Sequence, residues 1–474
     1  MLAIIPIIVL IALISLSVAI FGNDTLSGAS QISLILSAAV CVVIGLFTRR
    51  LTWEKLEEEL KRNIGSSTVA IIILMLIGAL SSTWMISGIV PTMIYYGMKI
   101  LKPEWFLVSA CILCALVSLM TGSSWTTIAT IGIALMGIGK AYQFSDGWIA
   151  GAIISGAYFG DKLSPLSDTT VLASSITDTP LFTHIKYMMK TTIPTFIITL
   201  LLFISAGFFL NTVGENSTIF TNAISRSFRI SPWLLIVPVI TGVMIARRWN
   251  TLAVLFIATM LGAIVAVWME PEIILQIVQG SHKYLSLNYI EGVIRVCYDK
   301  TSVSTGVAEL DTLVTTRGMV GMLPTIWLII CAQIFGAAFT SSGLLSDITN
   351  GLIKLIKGTT SLVATTVFTS IFLNLLTPDQ YLSIILTGQT YKDIYKKKGY
   401  ENRLLSRTTE DGGTVTSVLV PWNTCGLTQS TVLGVATLTY LPYCFFNLLS
   451  PITSIVVAAT GWGIKRDKNL EKKK

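Results

Sequence analysis

The sequence predicts an all-α polytopic membrane protein of about 11–13 spans, broken and re-entrant helices included, arranged as two inverted-topology repeats. Composition is the first reason. Hydrophobic residues fill 53% of the 474 positions and charged residues only 12%, where a soluble domain carries about 25% charged residues. Length is the second. A spanning helix takes about 20 apolar residues, which leaves room for roughly a dozen spans in a chain this apolar. The third is an internal repeat that carries helix-breaking residues at matching places.

Taken in order, residues 1–68 hold the N-terminal spans and an interfacial helix. The opening MLAIIPIIVLIALISLSVAIF lacks the basic start of a signal peptide and reads as a first span. LTWEKLEEELKR (51–62) is highly charged, with Leu51, Leu56 and Leu60 on one stripe, and reads as a helix lying in the interface. Residues 69–195 form transport repeat one. Residues 196–323 form connecting spans and an external polar stretch around Glu270–Lys300. Residues 324–451 form transport repeat two, and 452–474 end the last span in a basic tail.

Basic residues orient the chain. Arg49, Arg50, Lys55, Lys61 and Arg62 mark one loop, Arg247 and Arg248 another, YKDIYKKKGYENRLLSR (391–407) a third, and the tail after Ile464 is basic again. Placing all of them inside a cell membrane gives cytoplasmic termini. Orientation accounts for the net charge of +8, so no nucleic-acid partner is expected. Cys111 and Cys114 form a C-x-x-C inside an apolar span and read as packing residues. His184 and His282 are too few and too far apart for a histidine metal site, and no cofactor is expected.

The repeat is visible in single residues. At an offset of 255, Ser87-Gly88 matches Ser342-Gly343, and Lys99 and Lys102 match Lys354 and Lys357. At 256, Leu119, Thr121, Ile128 and Gly132 match Leu375, Thr377, Ile384 and Gly388, and Gly156, Leu163 and Pro165 match Gly412, Leu419 and Pro421. The segment 135–148 has one Lys and one Asp, while its counterpart 391–407 is strongly basic, so the halves are expected to insert in opposite senses.

Each half breaks twice. LMTGSSWTTIATIG (119–132) pairs with LLTPDQYLSIILTG (375–388), and GAYFGDKLSPLSDTT (156–170) with GGTVTSVLVPWNTCG (412–426). Gly122, Pro165, Pro378 and Pro421 interrupt helices there. Irregular backbone at membrane depth survives only where it is buried in protein or lines a wet cavity, and half-helix ends there bind ions. The acids follow the repeat: Asp161 pairs with Ser417, Asp168 with Thr424, Asp379 with Ser123 and Asp411 with Ser155. Carboxylates, hydroxyls and carbonyls are the ligands a small hard cation prefers. Desolvation favours the protonated form of a carboxyl and a nearby cation the ionised form, so a proton and Na⁺ compete for one group. The candidate cation ligands are Asp161, Asp168, Thr169, Thr121, Ser123, Ser124, Asp379, Asn423 and Thr424.

Structural roles compete with this. Asp168 is also placed to cap the helix beginning TTVLASS, and Asp161-Lys162 to neutralise itself. Asp178-Thr179-Pro180 reads as a surface turn, and Asp379 stands at a helix start. Glu410, Asp411 and His184 read as interfacial, with pH sensing a second role for His184. Trp125, Tyr381 and Trp422 read as packing at the breaks.

SGAYFGDKLSPLSDTTVLASSITDTPLFTHIKYMMKTTIPTF (155–196) resembles the diagnostic stretch of the NhaC family of Na⁺/H⁺ antiporters, within the ion transporter superfamily. TGSSWTT (121–127) is similar to that family's G-[TS]-S-W-G-T segment, with Thr127 where glycine is common. The resemblance implies exchange of Na⁺ for H⁺. The chain is similar also to malate–lactate antiporters of the MleN type, which implies a small organic anion as an alternative co-substrate. Superfamily membership implies elevator-type motion and, in many members, a homodimer. The scarcity of basic residues in the core motifs, Lys162 being the obvious one, favours the inorganic-ion reading over a Na⁺- and H⁺-coupled organic-acid or amino-acid transporter. An enzyme would need H-E-x-x-H, G-x-S-x-G or a comparable set, which the sequence lacks.

Overall fold

Within a bilayer every backbone N–H and C=O has to be paired inside the protein, and this chain pairs them almost wholly in helices. The computed structural model describes residues 2–21, 28–210, 216–278, 284–307, 310–311, 314–464 and 466. Most of the basic tail after Ile464 lies outside the described residues.

The N-terminal region comprises α1 (Ile5–Phe21), α2 (Ala29–Phe47) and α3 (Trp53–Ser66), the last capped by Thr52, whose hydroxyl accepts from the Lys55 N–H. The first half continues as α4 (Thr68–Ile86), α5 (Ile89–Ile100), α6 (Pro103–Thr121), α7 (Ser124–Thr127), a π turn (Ile128–Gly132), α8 (Ile133–Ala141), α9 (Asp146–Leu163), α10 (Asp168–Ile176) and α11 (Leu181–Phe209). The connecting region holds α12 (Asn216–Ser227), α13 (Ile236–Ala246), α14 (Thr251–Met269), α15 (Pro271–Val278) and α16 (Leu285–Tyr298). The expected external polar stretch is thus largely the two amphipathic helices α15 and α16. The second half runs α17 (Leu323–Ser341), α18 (Leu344–Ile353), α19 (Thr359–Leu376), α20 (Gln380–Lys397), α21 (Asn402–Thr409), a π turn (Glu410–Thr414), α22 (Thr424–Leu433), α23 (Thr437–Tyr440) and α24 (Phe445–Thr460).

Eight described helices are long and apolar enough to cross a membrane, and ten if two bent pairs, at 91° and 56°, each count as one span. Their outer faces carry exposed Ile8, Leu201, Ile264, Phe368 and Val456, as expected against lipid. The interior is rich in buried Ser and Thr, such as Ser82, Thr92, Thr195 and Ser370. Many of these hydroxyls return to a carbonyl one turn back, as Thr195 does to Thr191 at 2.8 Å.

Element bounds recur at the spacing read from single residues. At an offset of 256, the starts of α6, α7, α10 and α11 coincide with those of α19, α20, α22 and α23, and the start of α9 with that of α21. Gly88 and Gly343 both stand at helix starts in the left-handed region, with φ of +78° and +74°. α6 and α9 cross closely because Gly156 and Gly160 put backbone against backbone: a Cβ at either would strike the carbonyl of Cys111 or Ala115. α4 packs on α14, where the Trp84 indole donates to the Ala258 carbonyl at 3.0 Å, and α17 packs on α2 and α3.

Candidate functional site

The four breaks converge. In repeat one, α6 ends at Gly122, whose φ of +70° and close approach to Leu166, 2.6 Å from where a Cβ would sit, admit only glycine. Ser123 then caps α7 by accepting from the Thr126 N–H at 3.2 Å. α9 ends at Leu163, the chain turns through Pro165, and Ser167 precedes α10, its hydroxyl 3.0 Å from that of Thr169. The Thr170 hydroxyl donates to the Lys162 carbonyl at 3.1 Å, tying the two half-helices together.

Asp161 joins the two breaks of this half. Its carboxylate accepts from the Ser124 N–H at 3.2 Å and the Ser124 hydroxyl at 2.7 Å, at the first turn of α7, where a helix favours negative charge. The second half repeats the arrangement with neutral groups: the Ser417 hydroxyl meets the Gln380 side chain at 3.4 Å, and these positions are the counterparts of Asp161 and Ser124. Asp379 caps α20 by accepting from the Tyr381 and Leu382 N–H groups at 2.7 and 3.3 Å. Asn423 caps α22 by accepting from the Cys425 N–H at 3.0 Å, and the Thr424 N–H donates to the Pro378 carbonyl at 2.9 Å.

These pieces wall a cavity of about 660 Å³. Of the expected ligands, Thr121, Ser123, Asp161, Asp168, Thr169, Asp379 and Thr424 line it, together with the breakers Gly122 and Pro165. Asp168 is exposed into it, whereas Asp161 and Asp379 show only 6% and 3% of their surface. Ser124 sits behind the wall and holds Asp161. Asn423 is fully buried and donates to the Asn374 carbonyl at 3.1 Å, so it shapes α22 and does not reach the cavity. Pro378 and Pro421 shape the second half from outside the wall. Trp125 and Tyr381 line the cavity, while the Trp422 indole donates to the Leu375 carbonyl at 2.7 Å. The outer wall comes from α3, α4 and the α13–α14 turn, which brings Arg248. Among the described residues no three His, Cys, Asp or Glu side chains converge tightly enough to hold a metal ion.

Several expectations are corrected. Asp168 is not the cap of α10: Ser167 holds that position and Asp168 is the first helical residue. Lys162 does not pair with Asp161 but with Asp411. Glu410, Asp411 and His184, read as interfacial, are fully buried within the protein, and His184 Nδ1 pairs with the Ser406 hydroxyl. Arg407 is fully buried as well, its Nε 3.6 Å from Asp411, so the core does hold an arginine. The reason is that the chain turns inward directly after the basic loop: every residue from Leu404 to Val418 is buried. The pairing of Asp411 with Ser155, in the middle of α9, was the sequence signal for that depth. Asp178 is a turn residue as read, at φ +50°, 2.6 Å from Lys392.

Residues 156–462 match the family described as "Na+/H+ antiporter family". The chain is 34% identical to the Na(+)/H(+) antiporter NhaC of Alkalihalophilus pseudofirmus, over 94% of this chain and 93% of that one. It is 34% identical to the malate-2H(+)/Na(+)-lactate antiporter of Bacillus subtilis, over 93% and 91%. It is 32% identical to the arginine/ornithine antiporter ArcD of Halobacterium salinarum, over 97% and 92%. These relatives are named as transporters, not enzymes, and the chain, an antiporter of the membrane, belongs to the Na⁺/H⁺ antiporter family.

Proposed function

We propose that the chain exchanges Na⁺ for H⁺ across the cell membrane, with Asp161 and Asp168 as the groups for which the two ions compete. One observation carries the reading: Asp161, fixed by Ser124 at the seam of two helix breaks, shares a single oxygen-rich cavity with Asp168 and Asp379. Ionised, such a carboxylate holds Na⁺ with help from Thr121, Ser123, Thr169 and Thr424; protonated, it releases it. Alternating access then needs no separate proton path. The halves insert in opposite senses and both termini face the cytoplasm, a reading supported by the 256-residue recurrence of breaks and by the basic segment 391–407. A homodimer is part of the same reading.

A second reading has its own observation. A volume of about 660 Å³ far exceeds a bare Na⁺ and falls in the range of small-molecule sites. Arg248 on its wall offers an organic carboxylate a cationic partner, as a Na⁺-coupled organic-acid or amino-acid antiporter would use.

Transport in proteoliposomes separates the two. Under an imposed pH gradient, external Na⁺ alone is expected to dissipate the gradient, and Asp161→Asn and Asp168→Asn each to abolish this in correctly folded protein. Exchange that starts only when malate, lactate or an amino acid is added would establish the second reading instead.

A further inference from the structure

Lys162 follows Asp161 directly but faces away from the cavity, into a second group of charges. Asp411 Oδ1 receives Lys162, the Thr191 hydroxyl at 3.2 Å and the Ser450 hydroxyl at 3.3 Å, while Oδ2 faces Arg407. Next to it, Glu410 is fully buried with neither carboxyl oxygen in a well-formed hydrogen bond, the Thr414 hydroxyl lying beside it. The Arg407 guanidinium is equally buried and makes no hydrogen bond through any of its three nitrogens. None of these groups lines the cation cavity.

We propose that Glu410 is a second proton-carrying site, separate from the cation cavity and coupled to it through Lys162. Two influences oppose each other there. Lys162 and Arg407 together exceed the charge of Asp411, so balance favours an ionised Glu410. Full burial without hydrogen bonds favours the neutral acid. A carboxyl held between the two changes its proton with a small change in the surrounding charge. The π turn Glu410–Thr414 that presents it is a helix distortion frequent at functional sites.

The remaining titratable groups around it are few. α9 brings Asp161 and Lys162, α10 brings Asp168, and α11 brings His184 and Tyr187. α20 brings Tyr391 and Tyr395, α21 brings Arg403 over the Tyr187 ring besides Arg407, whereas α19 and α24 bring only hydroxyls and amides. Asp161 is thus the only nearby group that both meets the cation and is covalently next to the cluster. Where Na⁺ arrives at an ionised Asp161, positive charge rises one residue from Lys162, and release of the Glu410 proton to bulk water relieves it, a step that requires the fully buried cluster to open during the transport cycle. That sign is the one antiport requires.

The stoichiometric consequence rests on the antiport reading above. Purified wild type and Glu410→Gln are reconstituted with the membrane potential clamped, and the Na⁺ gradient that balances a fixed pH gradient is measured. The variant is expected to keep exchange of radiolabelled Na⁺ for Na⁺ and to balance as an exchanger of one proton fewer per Na⁺, with Glu410→Asp restoring the wild-type point. An unchanged balance point in Glu410→Gln overturns the proposal. Infra-red difference spectroscopy of the protein in lipid decides independently. The part of the pH-dependent band of protonated carboxyl that survives when Asp161 and Asp168 are both replaced by Asn should vanish once Glu410→Gln is added, and its survival there overturns the proposal. A wild type that moves no protons when Na⁺ is added sinks the antiport reading, while the band still decides Glu410.

Discussion

Asp379 stands at once at a helix start and on the cavity wall. It caps α20 through two N–H groups and also lines the cavity. Asparagine caps a helix about as well as aspartate, whereas alanine costs about 0.5–2 kcal/mol. Asp379→Asn is therefore expected to melt with the wild type but to need about tenfold more Na⁺ for half-maximal transport, about 1.4 kcal/mol of binding. Asp379→Ala is expected to lose stability as well. Equal Na⁺ dependence in wild type and Asp379→Asn would reduce Asp379 to a cap. The acids of the cavity were legible in the sequence because each lies within four residues of Pro165 or Pro378, whose counterparts Pro421 and Gly122 also fall at helix breaks. The burial of Arg407, Glu410 and Asp411 was not legible because linear proximity to a basic loop says nothing about the direction in which the next helix runs.

At the scale of elements, the α6–α9 contact sets where Asp161 stands. Gly156 and Gly160 give α9 its place against α6, and any side chain there forces backbone apart. Gly160→Val is expected to destabilise the protein by about 1–3 kcal/mol in thermal melts, the usual cost of overpacking. Gly65→Ala, at a helical site with open space around it, is expected to be neutral or to stabilise by up to about 1 kcal/mol. A melt of Gly160→Val matching the wild type would mean that this crossing does not fix the site. The breaks themselves were readable from composition: Gly122 needs φ +70° and Pro165 cannot continue α9. The π turns at Ile128–Gly132 and Glu410–Thr414 were not, because no single residue type signals an extra residue in a helical turn.

For the whole molecule, the claim is that two like halves insert oppositely and share one ion site. Of the seven cysteines only Cys297 is not buried, which leaves a quiet background for labelling once it is replaced. Cysteines placed at the exposed positions Gln143 and Lys397 should react with an impermeant maleimide from the outside and the inside respectively. Labelling of both from one side would refute the inverted arrangement. The repeat was visible in the sequence because helix starts, glycines and prolines keep a constant spacing even where the acids differ. The polarity of the site was visible for the same reason, but its volume and the Arg248 turn that walls it depend on the connecting helices, whose apolar faces carry no such register. The most direct test of the central claim is Na⁺ binding to the purified protein as a function of pH. Competition at Asp161 and Asp168 predicts an apparent affinity that weakens about tenfold per unit of falling pH for each proton displaced, a dependence made shallower in Asp161→Asn and lost when Asp168→Asn is added. A Na⁺ affinity independent of pH would contradict it.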